Sequence, residues 1–264
     1  MTESPERAFV RPGKLLLFIF LGLLVYLAAV VMWMPAGWLW ARVSPMISLP
    51  PQVSVQQVSG RLWQGAARLS VGRRPVRVTW LLSPPDFGEL GLPLAVSIES
   101  SRSRVAGDVF LSWPLAARID ARGTIHVPEF ADEIRASGGA MLEGDVVIDR
   151  LQVSLTDAGL QSARGLGRWP GGNVTWPMGD QMQNATFPPM QGTLSDLRNG
   201  VSLVISEQDT SDPAADASVT LDGMMEIRVY RRMIDLAGQA WSSAAAPGDV
   251  VFRVRQPLVS GGGR

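Results

Sequence analysis

The 264-residue chain has no cysteine, one histidine and one lysine. Without cysteine there is no disulfide framework, no thiolate metal site and no thiol nucleophile. A lone histidine, His126, excludes the usual zinc ligand sets, which draw on several His or Cys residues. It sits in "GTIHVPEF", an alternating pattern with no serine motif nearby, and so reads as a strand residue rather than a general base. No phosphate-binding glycine loop ending in Lys-Ser/Thr occurs, and no dinucleotide fingerprint precedes a helix. The 24 basic and 24 acidic side chains cancel, which removes the bulk electrostatic reason to expect a nucleic-acid partner. Asp86 and Glu89 in "PPDFGEL", and Asp209, Asp212 and Asp216 in the polar stretch 206–218, read as solvated loop carboxylates. They lack the ligand spacing of a calcium loop. The chain therefore reads as non-enzymatic and without a cofactor or metal.

Long apolar runs are also scarce, with one exception: Leu15 to Met34, twenty residues without a charge or a proline. As a helix this run is roughly 30 Å long, about the hydrocarbon thickness of a bilayer. Arg7, Arg11 and Lys14 precede it, and Arg42 is the only basic residue between it and Arg61. That bias predicts a cytoplasmic N-terminus and an external C-terminal domain. A cleaved signal peptide is the rival reading, but its apolar core is shorter and ends at small residues. Here the bulky "MWMPAGWLWARV" follows. The expected organisation is a cytoplasmic tail (1–14), a transmembrane helix (15–40), a stalk (41–57), a β-domain (58–259) and a flexible tail (260–264).

Beyond the stalk the periodicity is two. Leu69 and Val71 alternate with Arg68 and Ser70, "GRRP" turns the chain, and Val76, Val78 and Trp80 alternate with Arg77 and Thr79. The same alternation returns at 94–99, 117–122, 151–156, 201–205 and 225–230. One-sided strands of this kind suit antiparallel pairing. The fold class expected is mainly β: a single N-terminal transmembrane helix followed by an antiparallel domain, whether meander, half-pipe or sandwich-like. A short helix is predicted in "VPEFADEIRASGG", between Pro128 and Gly138. A glycine repeatedly opens a strand-like phrase, at 60, 107, 123, 144, 172, 192 and 223, and reads as a turn or bulge residue.

Six tryptophans lie beyond the expected transmembrane helix: Trp63, Trp80, Trp113, Trp169, Trp176 and Trp241. Indoles fill cores and also line grooves for lipid or peptide. Trp63 stands in "VSGRLWQGAARL", where Gly60 and Gly65 allow turns or close approach. If 60–67 is a strand, Leu62 and Trp63 point to opposite faces, so one of them is free for a partner. Trp63, Leu62, Gly60, Gly65 and Trp241 are the candidate interaction residues.

That stretch, following a single apolar segment and a proline-bearing stalk, resembles the type II secretion system protein N family of Gram-negative bacteria. The resemblance rests on a V-x-G-x-L-W-x-G-x-A motif, matched by Val58, Gly60, Leu62, Trp63, Gly65 and Ala67, and on "GLGRWPGGNVTWPMG" through Gly172 and Trp176. It implies a single-pass inner-membrane protein with a periplasmic β-domain. The partners it implies are other secretion components, the inner-membrane platform or the outer-membrane secretin. Similar glycine-led strands occur in AsmA-like and lipopolysaccharide-bridge families. That makes a lipid-binding or lipid-bridging protein with an apolar β-groove the alternative expectation.

Overall fold

The computed structural model describes residues 12–46, 53–72, 74–86, 88, 90–136, 140–157, 159–178, 181–240 and 244–257, with the backbone alone at 12–15, 28, 31, 133, 136 and 178. The chain opens with helix α1 (Pro12–Trp33), breaks at Met34–Pro35, and continues as α2 (Ala36–Val43) and a 3₁₀ turn, Ser44–Met46. Pro35 has no N–H to offer the preceding turn, which accounts for the break. The helix expected to run to residue 40 is thus two helices. The described side chains of α1 are exposed and apolar, among them Leu16 (68 %) and Tyr26 (65 %). Their longest continuous stretch is 16–27, about 18 Å of helix. Among the described residues no helix is long and apolar enough to cross a membrane.

Among the described residues sixteen strands follow in two antiparallel sheets. The large sheet runs β1 (Val53–Gly60), β2 (Gln64–Val71), β3 (Arg74–Leu82), β4 (Gly91–Glu99), β5 (Arg104–Ser112), β6 (Ala116–His126), β8 (Asp145–Thr156), β9 (Gly159–Trp169), β12 (Met190–Leu197), β13 (Gly200–Glu207), β14 (Pro213–Thr220), β15 (Met224–Tyr230) and β16 (Val250–Pro257). Each strand pairs with the next in this list, so the sheet is a meander. β1 and β16 form its two edges and do not pair with each other. Two excursions interrupt the order. The first carries the expected short helix, as a 3₁₀ turn (Val127–Phe130) and α3 (Ala131–Ala136), then β7 (Met141–Leu142). The second is the hairpin β10 (Gly172–Met178) and β11 (Gln181–Phe187), and with β7 it makes a three-stranded sheet.

Strand register produces one continuous apolar line. Gly60 faces Gly65, which faces Trp80, and the pairing continues through Val96, Gly107, Ala121, Leu151, Gly165, Leu194, Leu203, Ala217 and Ile227 to Val254. Directly opposed residues share a face, so thirteen strands each contribute a non-polar position to one side. The register one residue away reads Ala66, Thr79, Ser97, Ala106, Arg122 on the other side. Three of the expected strand-opening glycines, Gly107, Gly123 and Gly192, lie inside strands instead. At Gly107 a Cβ would stand 2.5 Å from the Asp120 carbonyl and 2.9 Å from the Ala121 Cβ, so neighbouring backbones fill the space of a side chain.

Packing is concentrated at one place. The hairpin β10–β11 and helix α4 (Arg231–Leu236) cover part of the large sheet around Trp169, Val174, Phe187, Met190 and Ala214. Trp176 meets Phe187 edge-on at 6.5 Å, and the Trp169 indole donates to the Glu143 carbonyl at 2.7 Å. The second motif is therefore the centre of the buried cluster. Elsewhere the apolar face is only half covered, as at Leu203 on the line (37 % exposed) and at Ile98, two residues from Val96 in β4 (44 %).

Candidate functional site

The motif Val58–Ala67 joins the helical segment to the sheet. Gly60 ends β1 at φ +92°, a conformation that L side chains rarely adopt, and Arg61 N–H donates back to the Gln64 carbonyl at 2.8 Å. Residues 61–63 are consequently the turn between β1 and β2. This corrects the expectation that Leu62 and Trp63 point to opposite faces of a strand. Four contacts close the turn. Leu62 N–H donates to the Met34 carbonyl (3.2 Å), the Trp80 indole donates to the Leu62 carbonyl (3.0 Å), Leu82 N–H donates to the Trp63 carbonyl (2.7 Å), and the Arg61 guanidinium lies 4.4 Å from the Trp33 ring centre. Pro35 and Arg61 form a β-bridge. The end of α1 is thereby tied to the β1–β2 turn, and the turn is bonded in its own right to β3.

Of the candidate residues, Gly60, Leu62, Trp63 and Gly65 come together here, and Trp241 lies outside the described residues. Gly65 lies under the Trp80 indole, whose nearest ring carbon is 2.3 Å from the place a Cβ would occupy. Trp63 is half-buried, and its indole N–H is buried without a hydrogen-bond partner. An unpaired buried donor is costly, so this N–H is the one group of the clasp left chemically open.

Two polar clusters sit elsewhere. At the end of the sheet opposite the clasp, Glu129 accepts from the Ser100 and Ser103 hydroxyls (both 2.7 Å) and from Ser101 N–H (2.9 Å). Burial works against its charge, but these bonds outweigh it and hold the carboxyl below its ordinary value. Beside it, Arg102 donates to His126 Nε2 (2.9 Å), so the ring proton is on Nδ1 and donates to Asp145 (2.6 Å). Both imidazole nitrogens are engaged, and Ser103 donates to Glu129 rather than to the ring. This is a structural network, not a nucleophile and its base.

The second cluster corrects a sequence reading. Asp216, expected in a solvated loop at 206–218, lies in β14 and is 4 % exposed. β13 runs on to Glu207 and β14 starts at Pro213, which leaves only 208–212 as a turn. Asp216 accepts from Arg228 Nε at 2.8 Å and from the Tyr230 hydroxyl. Burial and this bond push the Tyr230 phenol above its ordinary value.

A groove of 1020 Å³ crosses β2 to β8 and is lined in part by Thr79, Ser97, Asp108, Asp120 and Arg122. Register sets Asp108 opposite Asp120, a carboxylate pair that no local motif announced, and Gln152 donates to Asp120 at 2.6 Å. Among the described residues no group of three potential ligands forms a metal site.

The chain matches the sequence profile of the type II secretion system (T2SS), protein N, over residues 51–258. It belongs to the type II secretion system protein N family. No curated protein and no solved structure matches it. The matched span includes every strand from β1 to β16 and leaves α1 and α2 outside. The protein N family is one of secretion-system components rather than of enzymes, and membership implies work alongside other components of that system.

Proposed function

We propose that this protein N chain is a non-enzymatic, single-pass inner-membrane component of a type II secretion system. In this reading the apolar run Leu15–Met34 anchors it, the N-terminus is cytoplasmic, and the sheet works in the periplasm through contacts with the inner-membrane platform or the secretin. The clasp carries the reading. It ties the end of the apolar helix to the β1–β2 turn, itself bonded to β3, through Met34, Arg61, Leu62 and Trp80, so the position of the anchor becomes the position of the sheet. Anchoring turns encounters with neighbouring components into effectively intramolecular events and raises their local concentration. Trp63 is the favoured contact, because its half-buried indole stands in the turn that joins the helical segment to the sheet.

One observation favours a second reading. Among the described residues the apolar line from Gly60 to Val254 is only half covered away from the buried cluster, and a half-covered strip of that extent suits an acyl chain. A photoreactive residue replacing Trp63, activated in cells of the native host, separates the two. Cross-links to platform or secretin subunits are expected. Lipid adducts without a protein partner would instead support the lipid-binding reading.

A further inference from the structure

We propose that the hairpin turns at the clasped end of the large sheet form a docking surface for the phospholipid bilayer, inserting at the boundary of headgroups and acyl chains. The proposal rests on the anchoring reading above. In a meander, alternate turns fall at the same end. The turns β1–β2, β3–β4, β5–β6, β8–β9, β12–β13 and β14–β15 therefore share one end, and the first of them holds the end of α1.

These turns carry exposed apolar side chains: Leu90 (67 % exposed), Trp113 (82 %), Leu115 (75 %) and Leu221 (58 %). Trp113 N–H donates to the Leu90 carbonyl at 3.3 Å, so two of the turns are joined. Trp33 (68 %) and Trp38 (53 %), on the helices, lie next to the same end. At the opposite end the short turns Ser100–Ser103 and Gln208–Asp212 carry no large apolar residue, and the exposed apolar side chains there, Val250 (38 %) and Phe252 (57 %), lie within β16 rather than on a turn. Turns so weighted to one end are unexpected for a surface facing water on all sides, and interfacial tryptophan is their membrane counterpart.

Charge does not supply the attraction. Asp86, Asp157 and Asp222 share these turns with Arg61 and Arg198, so contact is driven by apolar burial and is insensitive to salt.

Because the chain has no cysteine, single labels are clean. Leu115→Cys, Leu221→Cys and, at the opposite end, Ser101→Cys are each labelled with an environment-sensitive fluorophore. The full chain is then reconstituted in phosphatidylcholine/phosphatidylglycerol vesicles containing lipids with shallow nitroxides. Labels at 115 and 221 are expected to be blue-shifted and quenched several-fold more than the label at 101, equally at low and high salt. Labels at 115 and 221 that behave like 101, on a chain that floats with the vesicles and resists alkaline extraction, overturn the proposal alone. A chain that washes off the vesicles overturns the anchoring reading and this proposal with it.

Discussion

Gly65→Ala will lower the thermal midpoint of the full chain in detergent by about 5–10 °C, the shift expected when roughly 2–3 kcal/mol is lost from a domain of this size. A methyl at residue 65 would meet the Trp80 ring at 2.3 Å and the Ser59 carbonyl at 2.6 Å. Neither can step aside: the Trp80 indole is held by its bond to Leu62, and Ser59 belongs to the β1–β2 ladder. The overlap must be relieved by moving the strands that hold α1. In a Trp80→Ala background the same substitution should cost less, because the ring is gone while the Ser59 carbonyl still obstructs. The coupling between the two sites is what a double-mutant cycle measures. A Gly65→Ala chain melting with its parent would show that the clasp is looser than its geometry.

Asp216→Ala will destabilise the β14–β15–β16 edge by about 2 kcal/mol, a value suited to hydrogen bonds that involve a charged group. Its carboxylate serves the Arg228 guanidinium and the Tyr230 hydroxyl, and neither has an equivalent replacement nearby. Arg228 is 38 % exposed and can recover water, which keeps the loss below that of a fully buried pair. Hydrogen exchange should show faster exchange confined to peptides covering 213–230 and 250–257. Asp209→Asn, in the adjoining turn, is the control: it removes the charge, suits the φ of +69° there, and should leave exchange at those peptides unchanged. Equal exchange in the two variants would reduce the Asp216 cluster to a surface ion pair.

Residue alternation was enough to place the strands whose apolar positions are large. Leu94, Val96 and Ile98 mark β4, and Met225, Ile227 and Val229 mark β15. Strands built on small residues were hidden. β9 puts Gly165 and Gly167 at inward positions, β12 puts Gly192 there, and β14 offers Ala215 and Ala217 before Val219, so alternation fades where the backbones come closest. "DPAADAS" carries the composition of a loop, but Arg228 and Tyr230 on the next strand offset the burial of Asp216. Pairing register was not legible at all. Periodicity assigns a residue to a face but does not choose its partner, so neither the thirteen-position apolar line nor the Asp108–Asp120 pair could be foreseen. The motif at 58–67 was visible as a pattern of glycine and tryptophan. Its role as a turn depended on the φ of Gly60 and on Met34, twenty-six residues before it.

On the proposed function, protein N acts in secretion from the membrane, with α1 and the sheet as one unit. The measurement that tests this most directly is the amount of a type II substrate exported to the medium by host cells lacking the chain, with two complementing forms. One form is the full chain; the other is residues 36–264 delivered to the periplasm by a cleaved signal and confirmed there at equal abundance. The full chain is expected to restore export and the released form to leave it near the level of the deleted strain. Full restoration by the released form would contradict the account, since a sheet free of its anchor would then do the whole work.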